Sequence, residues 1–259
     1  MKKLFYILLP LLALLIALIF LYVSKGNKND DLKIPIKEEN INDSFSPTPI
    51  STKEVNRGYQ TTWILARSVS KIKLFLNLEE KLSSNDAATK HNCDNLVSGG
   101  FYDTENNPIG LFITDGKKLE ESKVSQLFNG YFYIDPEGAH IESLPPTKAT
   151  IGLQAGPILY INQKPVKLSL EKDEAARRIV VATTKEGKVI FIVAYTKGNP
   201  LSGPRLTELP EIIDELSKNA KLDIVDALNL DGGAHSAFLT KSFQLTEIST
   251  IGSYFCTEP

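Results

Sequence analysis

The sequence predicts an α+β domain with a mixed or antiparallel sheet and a few helices, preceded by one N-terminal transmembrane helix. Three observations lead there. From about Gly58 onward, short runs rich in Ile, Val, Phe and Tyr recur between Gly, Pro, Asn and Asp, the pattern of strands separated by turns. Only one stretch, after Thr207, carries a well-marked helical period. At the front, Lys2 and Lys3 precede an uncharged apolar run from Leu4 to Val23, twenty residues long, which as a helix matches a hydrocarbon core of about 30 Å.

In chain order, residues 1–3 form a cytoplasmic start and 4–23 a transmembrane signal anchor. The apolar run exceeds the roughly 7–15 residues of a cleaved signal, and Leu21-Tyr22-Val23 stands where small cleavage-site residues belong. No lipid-modifiable Cys follows. The two lysines place the N-terminus inside and the remainder on the extracytoplasmic side of the cell membrane. Residues 24–57 read as a flexible polar linker, rich in Asn, Asp, Glu, Lys and Ser, with Ser-Pro-Thr-Pro at Ser46 to Pro49; such a segment buries too little apolar surface to offset chain entropy.

Residues 58–259 form the globular part. Strands are expected at Thr61 to Ala66, Ile72 to Leu76, Leu96 to Ser98, Leu111 to Thr114, Tyr131 to Ile134, Ile158 to Ile161, Arg178 to Ala182, Val189 to Ala194 and Val225 to Leu230. Gly187, in a Lys-Glu-Gly-Lys turn, joins the runs on either side as a hairpin. The marked helix has Thr207 as N-cap, Pro210 in the first turn and Leu209, Ile212, Ile213 and Leu216 on one face. A weaker helix is expected from Ser83 to about Asn92.

Composition narrows the function. With 29 Lys+Arg against 31 Asp+Glu, the chain lacks the electrostatic footprint of a nucleic-acid binder, and no nucleic-acid partner is expected. Three His and two Cys exclude a Cys-rich zinc module, and neither a metal nor a cofactor is expected. An even pair, Cys93 and Cys256, in an exported domain predicts one disulfide that closes a loop of most of the domain.

Two turns can carry chemistry. Val225 to Leu230 runs into Asp231-Gly232-Gly233-Ala234-His235-Ser236, which puts a carboxylate at a sheet rim beside glycines that admit an anion close to the backbone; a plain Asp-Gly turn is the structural alternative. Ser98-Gly99-Gly100-Phe101-Tyr102-Asp103 closes an earlier strand in the same way, or forms a bulge with core aromatics. Gln154-Ala155-Gly156-Pro157 turns the chain into a third strand. Arg177 and Arg178 open another strand, so their side chains face opposite ways and only one faces a given site.

Taken in order, these stretches resemble the phosphodiester glycosidase family over roughly Gly58 to Phe255. The resemblance rests on the glycine-pair motif at Ser98 to Tyr102, Pro-Ile-Gly-Leu at Pro108 to Leu111, the Ala-Gly-Pro strand at Ala155 to Leu159, the Arg-led strand at Arg177 or Arg178, and Leu-Asp-Gly-Gly at Leu230 to Gly233. Two departures stand out: Ser98 replaces the family's Asn, and Ala234-His235-Ser236-Ala237 replaces its Ser-rich tail. The resemblance implies hydrolysis of the bond between a sugar's anomeric carbon and a phosphodiester, in a phosphorylated glycan or envelope polymer. It implies Asp231 as base, nucleophile or electrostatic stabiliser, Arg178 as phosphate ligand with Arg177 as fallback, and the N–H groups of Gly99, Gly100, Gly232 and Gly233 as an anion cradle. Ser98, Ser236, His235 and Phe101 complete the expected site, and Asp103 is a possible second carboxylate. The alternative is an inactive module that binds a phospho-glycan on the same fold.

Overall fold

In a computed structural model of the chain, residues 51–55, 58–105 and 107–259 are described, the first five by their backbone alone. The expected membrane segment Leu4–Val23 and most of the linker lie outside the described residues. Among the described residues no helix is long and apolar enough to cross a membrane.

The elements run β1 (Ser51–Val55), β2 (Tyr59–Leu65), β3 (Ile72–Leu76), α1 (Ser84–Lys90), β4 (Asn95–Ser98), β5 (Phe112–Thr114), β6 (Lys117–Glu120), β7 (Gly130–Asp135), β8 (Gly138–Glu142) and β9 (Ile151–Ala155). They continue with β10 (Ile158–Ile161), β11 (Lys164–Pro165), β12 (Arg178–Thr184), β13 (Val189–Thr196), α2 (Leu209–Ala220), β14 (Ile224–Leu230), β15 (Phe238–Leu239), β16 (Gln244–Leu245) and β17 (Ser253–Thr257). Three sheets result, with orders β1-β2-β13-β12-β14-β10-β11, β16-β15-β4-β17-β3 and β6-β5-β9-β7-β8. Every pairing between the described strands is antiparallel, which settles the mixed-or-antiparallel expectation.

The seven-stranded sheet is covered on both faces, so its central strands are apolar on both sides rather than alternating. On one face Val180, Ala182, Ile190 and Ile192 meet Leu209, Ile213 and Leu216 of α2. On the other, Val181, Phe191, Leu228 and Leu230 meet Phe132, Leu153, Leu74 and Phe255 from the two smaller sheets. Each such buried Leu, Ile or Phe stabilises the fold by about 1.5–3 kcal/mol, so this central layer fixes the frame on which the rim turns are hung.

The hairpin around Gly187 forms as expected, with Arg178 opposite Ala194 and Thr183 opposite Val189. Ser83 caps α1, its Oγ accepting the Asp86 N–H at 3.2 Å, and the helix stops at Lys90, short of Asn92. The N-cap of α2 is a correction. Glu208, not Thr207, stands at the cap and its side chain makes no capping bond. Asp173 instead holds the turn that leads into the helix, accepting N–H groups from Leu206 at 2.7 Å and Thr207 at 2.9 Å and the Thr207 hydroxyl at 2.6 Å. The linker expectation also needs correcting at its end: Ser51–Val55 pairs with β2 instead of remaining an irregular tether.

Cys93 and Cys256 form the expected disulfide, their Cα atoms 5.3 Å apart and 163 residues apart in sequence. Closing so long a loop contributes on the order of 5 kcal/mol in the chain-entropy account. The bridge ties the segment before β4 to β17, and β4 and β17 also pair along Asn95–Ser98.

Candidate functional site

The two glycine turns meet. β4 and β14 belong to different sheets, yet the Asp231 N–H donates to the Gly99 carbonyl at 3.0 Å, and Ser98 Oγ donates to the Asp231 carbonyl at 3.2 Å. The Ala-Gly-Pro turn grips the same strand one step earlier: Asn229 Nδ2 donates to the Gly156 carbonyl at 2.9 Å, and the Gly156 N–H to the Asn229 carbonyl at 3.1 Å. Three of the sequence motifs therefore converge on the end of β14.

Asp231 sits at this convergence. Its surface is still partly accessible, but protein crowds the carboxyl on its other sides. Burial pushes the carboxyl up to about 8, and a hydrogen bond from the Gly232 N–H lowers it by less. A carboxyl in that state is protonated at neutral pH and can donate a proton. Tyr102 is its neighbour, with a phenol raised first by burial and then by the Asp231 charge. The Tyr102 hydroxyl donates to the Thr250 carbonyl at 2.7 Å, and its ring meets the His235 imidazole edge-on at 5.8 Å. Gly252 makes room for that ring, since a Cβ there would stand 2.2 Å from the Tyr102 Cδ1.

Both arginines are engaged within the protein. Arg177 is buried and reaches under the second glycine turn, where Nε donates to Ser236 Oγ at 2.9 Å and Nη2 to the Ser236, Gly233 (3.3 Å) and Thr246 (2.9 Å) carbonyls. Arg178 points the other way, donating to the Pro204 carbonyl at 3.0 Å and to the Glu174 carbonyl, with Asp173 at 3.8 Å. Alternation along the strand did put them on opposite faces. Arg178, the expected phosphate ligand, is thus held by loop carbonyls, and it is Arg177 onto which the Gly232–Gly233 turn folds.

The expected N–H cradle is also corrected. Gly99 N–H donates to the Ser253 carbonyl at 2.8 Å, Gly100 N–H to Ser253 Oγ at 2.9 Å and Gly233 N–H to the Arg177 carbonyl at 2.8 Å. Three of the four expected donors are thus taken within the protein. Gly232 is instead demanded by closeness: a Cβ there would lie 2.5 Å from the Arg177 carbonyl oxygen.

Ser236 is fully buried and its hydroxyl donates to the Gly233 carbonyl at 2.7 Å, which shapes the turn. Ser98 is buried as well and positions the Asp231 backbone. His235 is exposed beside Tyr102. Phe101 is half-buried, packed on Phe128 at 4.7 Å and against the main core. Asp103 belongs to its own loop, its carboxylate accepting the Glu105 and Asn107 N–H groups at 2.9 Å each, bonds that hold it below the usual range. Among the described residues no three His, Cys, Asp or Glu side chains gather as a metal site.

Residues 91–253 match the model of a family described as phosphodiester glycosidase. The chain belongs to the phosphodiester glycosidase family. No curated protein sequence matches the chain. Among solved structures, the fold is similar to the catalytic domain of zebrafish N-acetylglucosamine-1-phosphodiester alpha-N-acetylglucosaminidase, auto-inhibited by its pro-peptide. That likeness has a TM-score of 0.63 at 15% identity, over 84% of this chain and 85% of that one. A hypothetical protein from Synechocystis matches with a TM-score of 0.54 at 13% identity, over 80% of this chain and 61% of that one. Both likenesses speak to the fold.

Tyr102, the neighbour of Asp231, and Gly252, which makes room for its ring, are what sequence reasoning passed over. Tyr102 lies inside a motif that was otherwise singled out, but nothing in a string of residues pairs it with Gly252, about 150 positions away.

Proposed function

We propose that the protein is a membrane-anchored, extracytoplasmic hydrolase that cleaves the sugar–phosphate bond of a glycosyl-1-phosphodiester in a glycan or envelope polymer, with Asp231 as the acid. The observation that carries this reading is a carboxyl pushed up to about 8 where the family's two glycine turns meet. A phosphodiester is an anion, and an ionised carboxylate would repel it; a protonated one approaches a phosphate oxygen without that cost. As the anomeric C–O bond breaks, its electron pair stays with the phosphate oxygen, and the Asp231 proton passes to that oxygen. The carboxylate left behind faces the oxocarbenium-like centre and then takes a proton from the attacking water, restoring the acid. The disulfide supports an oxidising compartment, and the apolar run Leu4–Val23 supports the anchor.

Asp231→Asn keeps shape and removes the proton. Hydrolysis of a synthetic sugar-1-phosphodiester should fall by about 10²–10⁴-fold in kcat, while the wild-type rate declines as pH rises through about 8. Undiminished turnover in the variant overturns the assignment. One observation favours the alternative of a binding module: Ser98, which stands where the family has Asn, is buried and bonds the Asp231 backbone carbonyl. Under that reading the wild type binds the phosphodiester and leaves it intact.

A further inference from the structure

Asp231, when protonated, supplies no positive charge, Arg177 is buried under the Gly232–Gly233 turn, and Arg178 is held by the Pro204 and Glu174 carbonyls. A phosphate-bearing substrate therefore calls for a cation from elsewhere on the rim. Tyr102, the neighbour of Asp231, also lines a cavity of about 230 Å³ with Leu78, Lys81, Ser249 and Thr250. Lys81 is exposed, and Glu80 beside it is engaged by Lys90 at 2.5 Å.

The walls of this cavity are built rather than loosely apposed. Asn77, 1% exposed, ties its two sides together. Its Nδ2 donates to the Leu82 and Ile251 carbonyls, both at 2.9 Å, and its Oδ1 accepts the Leu82 N–H at 3.0 Å. Its backbone N–H donates to the Gly252 carbonyl at 2.8 Å and its carbonyl accepts the Lys81 N–H at 2.9 Å. Tyr102 is fixed from its other end by Thr250 and Gly252. A preorganised concavity with an ammonium and three hydroxyl-bearing side chains has the chemistry of a site for a phosphate that carries a polyol.

We propose that this cavity holds the hydroxylated group attached to the substrate's phosphate, with Lys81 as the cation for that phosphate and Tyr102 as the shared wall beside which the scissile oxygen meets Asp231. The ligand class rests on the hydrolase reading above; the cavity does not. Lys81 is exposed, so its replacement leaves the fold intact. Calorimetric titration of the full-length protein with glycerol phosphate should show binding that Lys81→Gln weakens about tenfold and Lys81→Arg largely preserves. In parallel, Lys81→Gln should raise KM for a sugar-1-phosphoglycerol about tenfold with kcat retained. Equal affinity in wild type and Lys81→Gln, or no binding to the wild type, overturns the proposal. Lys81-dependent binding in a protein without turnover keeps the cavity assignment and removes the hydrolase reading; intact turnover with binding indifferent to Lys81 does the reverse.

Discussion

The turns at Ser98-Gly99-Gly100 and Asp231-Gly232-Gly233 are near copies in sequence and differ in physical purpose. The first pair has no left-handed residue and continues a strand, both its N–H groups bonding Ser253. There a Cβ on Gly100 would meet only ordinary contacts, nearest 3.7 Å, and one on Gly99 would press on the Ser253 hydroxyl, a side-chain atom. The second pair is a true reversal, with Gly233 at φ +60, and its Gly232 lies against backbone that cannot move aside. Glycine in the first turn is largely a matter of sheet continuity; in the second it is what lets the turn close onto the Arg177 carbonyl.

The sharpest test of that contrast is the arginine beneath the second turn. Arg177→Ala strips partners from the Gly233, Ser236 and Thr246 carbonyls and should cost about 3–5 kcal/mol in denaturant unfolding. Arg178→Ala, on the loop side, should cost about 1 kcal/mol, since Asp173 keeps three other donors. Equal losses would mean that the second turn does not depend on Arg177. Next in size is a pair of glycine replacements. Gly232→Ala should destabilise by about 2 kcal/mol through its clash with the Arg177 carbonyl, whereas Gly100→Ala should stay within about 0.5 kcal/mol. A reversal of that order would erase the distinction between the turns.

The smallest effect concerns protons. The folded state holds Asp231 protonated up to about 8, above its ordinary value of 3.8, so between those limits the native protein binds the extra proton. Stability from this group is complete at low pH and is lost as pH rises through about 8. Asp231→Asn cannot ionise, so its melting temperature should gain on the wild type between pH 5 and pH 8.5. The gain should be on the order of 1 kcal/mol after allowance for the water that still reaches the carboxyl. A gap that stays constant across that range would mean the carboxyl is not desolvated.

The frame was legible because its signals are local. β-branched runs marked β12, β13 and β14, the turn at Gly187 joined two of them, and the apolar face of α2 showed in its spacing. The site was legible only as parts. Alternation separated Arg177 from Arg178, but which of them lies under the Gly232–Gly233 turn depends on where the chain after β14 folds, and that is fixed by Ser236 and Thr246, far along the sequence. The glycine N–H groups looked available because Ser253, their acceptor, lies in β17, a strand buried throughout that shows no alternating pattern. Thr207 looked like a cap because Asp173, which displaces it, is 34 residues earlier.

The position of β17 has a consequence for the order in which the chain is made. It is the last of the described strands to leave the ribosome, yet it lies between β4 and β3 and joins them. β4 is complete about 150 residues sooner, which at ~5–20 residues per second leaves its edge waiting on the order of ten seconds for its partner. Until then Gly99 and Gly100 have no acceptor at Ser253, Cys93 has no thiol to pair with, and two apolar strand edges stand open to a neighbouring chain. Biogenesis of this domain thus depends on keeping an unfinished sheet apart from other chains until the strand that joins β4 to β3 arrives.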